Sequence, residues 1–188
     1  ETPLSEARNA FMSALVKETR SLDDSRLVTA ALLTSTQTEN GVLTARISDP
    51  LTDELDVLSV NTYEGWYGSV PVSEVSEIRW DLDFNKPLII SEFGAGAYIG
   101  LSGEEVPRKF SLEYQSEVYR ETLEMSEHIT SLRGISPWIL KDFRSPRRQH
   151  SLYQNGWNRK GLITETGQHK PAFDILSGHY SSIKEARR

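Results

Sequence analysis

The stretch KPLIISEFGAGAYIG, residues 86–100, decides the fold. Residues 88–90 form a short, continuous apolar run, which predicts a buried strand. Glu92 ends this run, and a carboxylate removed from water at that point costs several kcal/mol unless it is paired or used. The glycines at 94, 96 and 100 suit tight turns and close backbone approach. The stretch therefore predicts either a functional carboxylate at a strand end or a capping, ion-paired glutamate.

The composition excludes several classes of function. The chain has 188 residues, a net charge of −6 and no cysteine. This length suffices for one domain with a real core. The negative charge gives no indication of a nucleic-acid partner, and without cysteine there is no disulfide or thiolate chemistry. No apolar run approaches the ~20 residues of a membrane span. The four histidines, at 128, 150, 169 and 179, show no metal-ligand spacing, so we predict no metal site.

Helical and strand patterns alternate along the chain. Apolar residues spaced by three and four predict helices over residues 4–21, 72–84, 110–132 and 172–183. Short apolar runs predict strands over residues 27–33, 55–60, 88–90 and 135–140. Residues 34–50 are polar and ambiguous, and residues 144–161 are predicted to form a long loop. The alternation predicts an α/β fold with a parallel sheet.

Polar and aromatic residues follow the predicted strands. The second strand runs into Asn61-Thr62-Tyr63, the third into Ser91-Glu92, and the fourth carries Trp138. Such residues at the carboxyl ends of parallel strands are typical of the active face of a (β/α)8 barrel, the TIM barrel. A complete barrel needs eight strands and about 250 residues. The four strands predicted here therefore amount to roughly half of a barrel.

Glycoside hydrolysis is one use for a strand-end carboxylate, and it needs a second carboxyl group across the scissile bond. The candidates to accompany Glu92 are Glu1, Glu64, Asp142 and Asp56. Asp56 opens its strand and so belongs to the opposite face of the sheet. Asp142 stands among basic residues and is predicted to be a paired, structural carboxylate. Glu64 lies in a loop, whereas Glu1 stands before the first helix, where a residue that ends a preceding strand would lie.

Four motifs in the same order resemble glycoside hydrolase family 2, in its β-glucuronidase and β-galactosidase members. They are DVLSVNTYEGWYG (56–68), SEFG (91–94), WILKDFR (138–144) and GWNRKG (156–161). The resemblance implies that residues 1–188 are the C-terminal half of the catalytic barrel, strands 5–8. The N-terminal half and the family's β-sandwich domains are absent, and we expect the fragment to be inactive without the missing barrel half, supplied by the same or another chain. The full-length enzyme is expected to be a homo-oligomer.

The resemblance implies a retaining double displacement. Glu92 would be the nucleophile. Glu1 would be the acid/base, since Glu1-Thr2-Pro3 matches the family's Asn-Glu pair and its proline-containing turn from the Glu onward. Tyr63 would hydrogen-bond the nucleophile and stabilise its charged form. The sugar pocket would be lined by Asn61, Trp66, Tyr67 and Trp138. Core packing is the alternative for the tryptophans and for Tyr67.

GWNRKG indicates the sugar. Asn158 and Lys160 resemble the Asn-x-Lys motif of β-glucuronidases, whose amide and ammonium bind the C6 carboxylate of a uronic acid. A buried lysine is penalised unless it is paired, and a substrate carboxylate would offset that cost with a charge-assisted hydrogen bond. The alternative is a basic turn in which Lys160 points to solvent. The implied function is the exo-acting cleavage of terminal β-D-glucuronides.

Other functions stay open. A β-galactosidase would depend little on Lys160, a β-galacturonidase would share the Asn-x-Lys pair, and a degenerate barrel would bind sugar without cleaving it. A cellulase- or mannanase-like barrel would lack Asn-x-Lys. Gln154 stands where some β-glucuronidases place an arginine, which weakens any finer assignment. The resemblance implies no organic cofactor, and the compartment stays open, with the cytoplasm slightly favoured.

Overall fold

The computed structural model describes residues 5–103 and 108–186. The chain divides into two compact units. The first, called the strand unit, comprises Glu1–Thr62, Glu77–Glu92 and His128–Ser136. The second, called the pocket unit, comprises Tyr63–Ser76, Phe93–Glu127 and Pro137–Arg188. Within the described residues, no helix is long and apolar enough to cross a membrane.

The helices and strands of the described residues alternate. The helices are α1 (Glu6–Leu22), α2 (Leu112–Glu127) and α3 (Pro171–Ala186). The strands are β1 (Thr29–Leu32), β2 (Thr34–Glu39), β3 (Val42–Ile47), β4 (Val57–Asn61), β5 (Arg79–Trp80), β6 (Leu88–Glu92), β7 (Leu132–Ile135), β8 (Phe143–Arg144) and β9 (Trp157–Asn158). Two 3-10 helices span Pro50–Asp53 and Val72–Glu77.

The main sheet of the strand unit consists of β1, β4, β6 and β7 in that spatial order. All neighbouring pairs are parallel, so the predicted α/β fold with a parallel sheet is confirmed. Residues 57–60 of β4 are all buried, as is typical of a central strand in a parallel sheet. Because parallel strands share one direction, the carboxyl ends of β4 and β6 lie at the same edge of the sheet.

Residues 34–50, ambiguous in sequence, contain an antiparallel hairpin. Strand β2 pairs with β3 from Thr34 opposite Ile47 to Glu39 opposite Val42. The turn is Asn40-Gly41, with φ angles of 51° and 82°. Two positive φ angles are what a two-residue type I′ turn requires, and Asn-Gly is its preferred sequence. This dipeptide was therefore a local signal for the hairpin that the polarity of the flanking residues obscured.

Two predicted elements were wrong. Residues 72–84 do not form an α-helix: the 3-10 helix Val72–Glu77 precedes β5. Val75 and Ile78, three residues apart, are both buried, and a spacing of three also fits the three residues per turn of a 3-10 helix. The fourth parallel strand is Leu132–Ile135, not 135–140, and α2 ends at Glu127. Pairing of β7 with β6 overrides the helical spacing that continues past residue 127.

The pocket unit is built on α2 and α3, which contact each other. Pro171 occupies the first position of α3, where a residue without a backbone N–H is favourable. A core cluster joins Trp66, Ala95 and Val118, and half-buried aromatic residues pack against it. The rings of Phe93 and Tyr119 lie 4.9 Å apart at their centroids. The unit therefore has an apolar core of its own.

A buried ion pair anchors α1 in the strand unit. The Arg8 guanidinium donates to both carboxylate oxygens of Asp49, at 2.7 and 2.8 Å. Burial of Asp49 raises the pKa of its carboxyl, but the hydrogen bonds from Arg8 and from the backbone N–H groups of Leu51 and Leu33 outweigh it. The net pKa of Asp49 therefore lies below its usual value, and the folded state favours the carboxylate.

We expect Asp49→Asn to lower the free energy of unfolding at pH 7 by about 3 kcal/mol, because it leaves the Arg8 charge partly buried without its partner. A carboxyl with a lowered folded-state pKa stabilises the fold above its unfolded pKa of about 3.9, and this stabilisation is lost as the pH falls through the folded pKa. The difference between the wild type and the variant should therefore shrink between pH 7 and pH 3 in urea denaturation.

The matched control is Asp23→Asn, which weakens the far more exposed pair of Asp23 with Arg26. We expect a much smaller change at pH 7. A loss of stability in Asp49→Asn that is equal at both pH values would contradict the charge-based explanation.

Candidate active site

Two polar side chains stand at neighbouring strand ends of the main sheet. Asn61 is the last residue of β4, Glu92 is the last residue of β6, and they are partners in the strand register. The backbone N–H of Thr62 donates to the Glu92 carbonyl at 2.9 Å. The Ser91 hydroxyl lies 2.8 Å from Asn61 Oδ1, which leaves the Asn61 NH₂ group as the donor toward a ligand. The Glu92 backbone is thus held by the strand pairing.

Lys160 is enclosed by aromatic rings in the pocket unit. Its Nζ lies 4.6 Å from the ring centroid of Tyr63, 4.4 Å from that of Trp66 and 4.5 Å from that of Tyr67. It also donates to the Gly94 carbonyl at 3.3 Å. Lys160 is only 4% exposed, so the alternative of a solvent-directed lysine is wrong. The negative faces of three rings attract the ammonium group, so a positive charge lies in an aromatic wall.

Asn158 lies on β9 and is buried. Strand β9 pairs with β8 in an antiparallel ribbon, which fixes its backbone. The Asn158 Oδ1 accepts a hydrogen bond from the backbone N–H of Lys160 at 3.0 Å. Because this bond uses the amide oxygen, the NH₂ group of Asn158 is the part that can donate to a ligand. Asn158 and Lys160 are therefore linked structurally, and both offer hydrogen-bond donors.

A cavity of about 190 Å³ opens over this segment of the pocket unit. Its walls include three aromatic rings, two side-chain amides and four cationic side chains. These are Trp66, Tyr67, Phe110, Gln154, Asn158, Lys109, Arg148, Arg159 and Lys160. Among the described residues, no carboxylate lines this cavity. The cavity therefore has the electrostatic character of a site for an anion.

The other residues predicted to line a sugar pocket have different surroundings. Trp66 belongs to the core cluster and also lines the cavity, and its contact with a sugar stays a prediction. Tyr67 is 58% exposed, which excludes core packing for it. Trp138 is half-buried and meets Phe143 edge to face, with centroids 6.2 Å apart. Its role at a sugar stays a prediction. Glu1 lies outside the described residues.

Two of the other carboxylate candidates, Asp56 and Asp142, have partners within their own units. Asp56 pairs with Arg20 at 3.0 Å and immediately precedes β4, as predicted. Asp142 is buried and pairs with Lys170 at 2.9 Å and with Arg159 at 3.4 Å. The prediction of a paired, structural Asp142 is confirmed. Its partners, however, are distant along the chain and are not the basic residues that flank it.

Burial shapes the titration of this pair. It raises the pKa of the Asp142 carboxyl, against the attraction of Lys170. Burial also lowers the pKa of the Lys170 ammonium, against the attraction of Asp142. Each charge therefore depends on the other for its ionised form.

Lys109, Phe110 and Lys170 were not predicted as functional residues. No motif in the sequence marks them, because Lys109 and Phe110 reach the cavity, and Lys170 reaches the Arg159 carbonyl, only through the tertiary fold. The glycine at 96 was a partial signal, since it predicted close backbone approach: a Cβ there would lie 3.2 Å from Trp66 and 3.3 Å from Phe110. In the described part of the chain, no group of three His, Cys, Asp or Glu residues is placed to hold a metal ion.

Comparisons with known proteins agree with the motifs. Residues 5–185 match the family described as "Glycosyl hydrolases family 2, TIM barrel domain". The chain is 31% identical over 193 residues to the β-glucuronidase of Sus scrofa, which covers 95% of this chain and 26% of that protein. It is also 31% identical over 190 residues to the β-glucuronidase of Rattus norvegicus, covering 95% of this chain and 27% of that protein. The chain spans about a quarter of the length of these curated relatives.

Solved structures resemble the chain over most of its length. A β-glucuronidase of an uncultured Clostridium species has a TM-score of 0.74 at 23% identity, covering 95% of this chain and 30% of that one. A family 2 β-galacturonidase from Eisenbergiella tayi, bound to galacturonate, has a TM-score of 0.72 at 25% identity, covering 95% of this chain and 31% of that one. The first likeness, at under 25% identity, concerns the fold alone.

We expect Gly161→Ala to lower the free energy of unfolding by about 3 kcal/mol through overpacking. A Cβ at Gly161 would lie 2.6 Å from the Ile163 carbonyl oxygen and 2.5 Å from Asp142 Oδ1, in the interior beside Lys160. The measurement is urea denaturation. Gly178→Ala is the control, because a Cβ there meets nothing within 4 Å in α3, and it should stabilise by about 0.5–1 kcal/mol. Equal effects of the two substitutions would contradict the close approach at Gly161.

Proposed function

The chain belongs to glycosyl hydrolase family 2, in the TIM barrel domain of that family, and from this premise we propose that it is the second half of the catalytic barrel of a retaining β-D-glucuronidase. Strands β1, β4, β6 and β7 would be barrel strands five to eight. The four-stranded parallel sheet supports this assignment, as does a chain that spans about a quarter of its curated relatives. The rest of the barrel would come from the same or another polypeptide, and the complete enzyme would be a homo-oligomer.

One observation carries the choice of substrate. Lys160 is a buried cation enclosed by three aromatic rings, next to a buried asparagine whose free donors are N–H groups. A neutral 6-hydroxymethyl group carries no charge for these donors to recognise. A uronic acid would bring a carboxylate that accepts a charge-assisted hydrogen bond in a site shielded from water. The cationic lining of the cavity favours the same anion.

The reaction would proceed by two displacements. Glu92 attacks the anomeric carbon as the bond to the leaving oxygen breaks, and Glu1 gives its proton to that oxygen. Glu1, now a carboxylate, takes a proton from water as the water oxygen attacks the anomeric carbon and releases Glu92. Tyr63 would donate to the Glu92 carboxylate, which stabilises its charged form.

The remaining residues would hold the sugar. The Asn61 amide would donate to a sugar hydroxyl, because its oxygen lies within hydrogen-bond distance of the Ser91 hydroxyl. Trp66, Tyr67 and Trp138 would cover apolar faces of the sugar and exclude water.

A β-galacturonidase is the second candidate. It is favoured by the same buried cation, because galacturonate and glucuronate carry the same C6 carboxylate and differ in the orientation of a hydroxyl group. The similarity to a β-galacturonidase solved with galacturonate supports keeping this candidate. Hydrolysis of paired aryl β-D-glucuronide and β-D-galacturonide substrates separates the two.

We expect Glu92→Gln, in the protein that carries the complete barrel, to lower kcat/KM for an aryl β-D-glucuronide by about 10⁴-fold or more. The amide cannot act as the nucleophile. Glu18→Gln is the control, since Glu18 is an exposed carboxylate of α1, and it should leave kcat/KM unchanged. Activity within tenfold of the wild type in Glu92→Gln would remove Glu92 from the mechanism.

We expect Lys160→Met to lower kcat/KM for the glucuronide by about 100-fold, which corresponds to about 2.7 kcal/mol. Methionine keeps the length of the side chain and removes only the charge that would bind the carboxylate. Any activity on an aryl β-D-galactoside, whose C6 group is uncharged, should change little. Lys17→Met, at an exposed position of α1, is the control. Full glucuronide activity in Lys160→Met would keep the hydrolase but discard the uronic-acid assignment.

A further inference from the structure

Two charged residues that do not line the cavity hold the segment that does. Lys170 and Asp142 have fully buried side chains that form an ion pair at 2.9 Å. Both lie behind the Asn158–Gly161 segment of the pocket unit, and neither contributes to the cavity wall. A buried ion pair is by itself weak evidence for stability, because the desolvation of two charges offsets their attraction. The other contacts of the pair are therefore more informative than the pair alone.

The other contacts of the pair are hydrogen bonds with backbone groups, including those on both sides of Lys160. The Lys170 Nζ donates to the Arg159 carbonyl at 3.0 Å and to the Ala97 carbonyl at 2.8 Å. The Asp142 Oδ1 accepts from the backbone N–H of Gly161 at 2.8 Å. The Arg159 carbonyl belongs to the peptide group before Lys160, and the Gly161 N–H belongs to the one after it. The ion pair thus holds the peptide groups on both sides of Lys160.

The other two polar groups of these peptides are bonded as well. The Lys160 N–H donates to Asn158 Oδ1 at 3.0 Å, and the Lys160 carbonyl accepts from the Ile139 N–H at 3.2 Å. The Arg159 carbonyl also accepts from the Ala97 N–H at 2.8 Å. Because all four groups are bonded, the backbone of Lys160 is restrained on both sides, and so is the direction of its Cα–Cβ bond.

We propose that Lys170 and Asp142 are positioning residues for the carboxylate-binding pair Asn158 and Lys160, and that discrimination in favour of uronides depends on them. This inference rests on the proposed function. The physical reason is geometric: a charge-assisted hydrogen bond has a narrow optimum of distance and angle, and an ammonium displaced by about 1 Å loses much of its selectivity. The aromatic rings restrict the position of the Lys160 side chain, and the ion pair fixes the position of the Lys160 backbone.

The test is Lys170→Met in the protein that carries the complete barrel. We expect the inhibition constant of free glucose, divided by that of free glucuronate, to fall at least tenfold. The fall in this ratio should come from weaker binding of glucuronate. The KM for the aryl β-D-glucuronide should rise while kcat changes less. Hydrogen–deuterium exchange of the peptide covering residues 157–162 should become faster, which reports on the segment independently of activity.

Two further variants separate positioning from general stability. Asp49→Asn breaks the buried pair of the strand unit, and it should reduce stability without changing the ratio or the exchange of residues 157–162. Asp142→Asn combined with Lys170→Met removes both buried charges and keeps an oxygen for the Gly161 N–H, so it should fold more stably than Lys170→Met alone. The ratio should stay low in this double variant, because the Arg159 carbonyl has lost its ammonium. Recovery of both the stability and the ratio would overturn the inference.

A double-mutant cycle tests whether Lys170 affects the ratio through Lys160. In a Lys160→Met background, Lys170→Met should cause no further fall in the ratio, because the ammonium that it positions is gone. Additive losses would overturn the inference. If Lys170→Met keeps the wild-type ratio while Lys160→Met loses it, the inference fails and the proposed function stands. If Lys160→Met itself keeps the ratio, the proposed function fails, and the positioning role fails with it.

Discussion

The burial of one ammonium group constrains the pocket unit more than any other interaction. An unsolvated lysine is costly, and Lys160 meets this cost through the faces of Tyr63, Trp66 and Tyr67 and through the Gly94 carbonyl. The backbone after Lys160 needs a glycine at 161, because it passes too close to Asp142 for a side chain. The aromatic wall of the cavity therefore also encloses a buried charge.

In the strand unit the corresponding constraint is the direction of the strands. Parallel pairing of β4 with β6 brings Asn61 and Glu92 into register at the same edge of the sheet. Hydrogen bonds along the strands hold the backbone of both residues, and the Ser59 hydroxyl donates to Ser91 at 2.7 Å beneath them. Such a strand end holds the Glu92 backbone in a defined position, as the proposed role of Glu92 as nucleophile requires.

Local sequence patterns predicted the helices and strands correctly where the pattern fits only one type of secondary structure. The apolar run before Glu92 and the helical spacing in the segments of α1 and α3 agree with the structure. Prediction failed where a spacing of three residues suits more than one structure. Val75 and Ile78 belong to a 3-10 helix and the residue after it, and the apolar residues beyond Glu127 lead into β7. In the second case, pairing with β6, which is distant in sequence, makes these residues a strand.

The sequence by itself determined the family, the parallel α/β architecture, the strand-end position of Glu92 and the residue types available to bind an anion, because each of these follows from motifs or from short-range patterns. Only the tertiary structure decided that Lys160 is enclosed and not directed to solvent, that Asp142 takes Lys170 as its partner, and that Lys109 and Phe110 reach the cavity wall. The physical reason is that burial and charge pairing depend on which distant segments meet. Lys170 and Asp142 are 28 residues apart, and no spacing along the chain encodes that their side chains share one buried site.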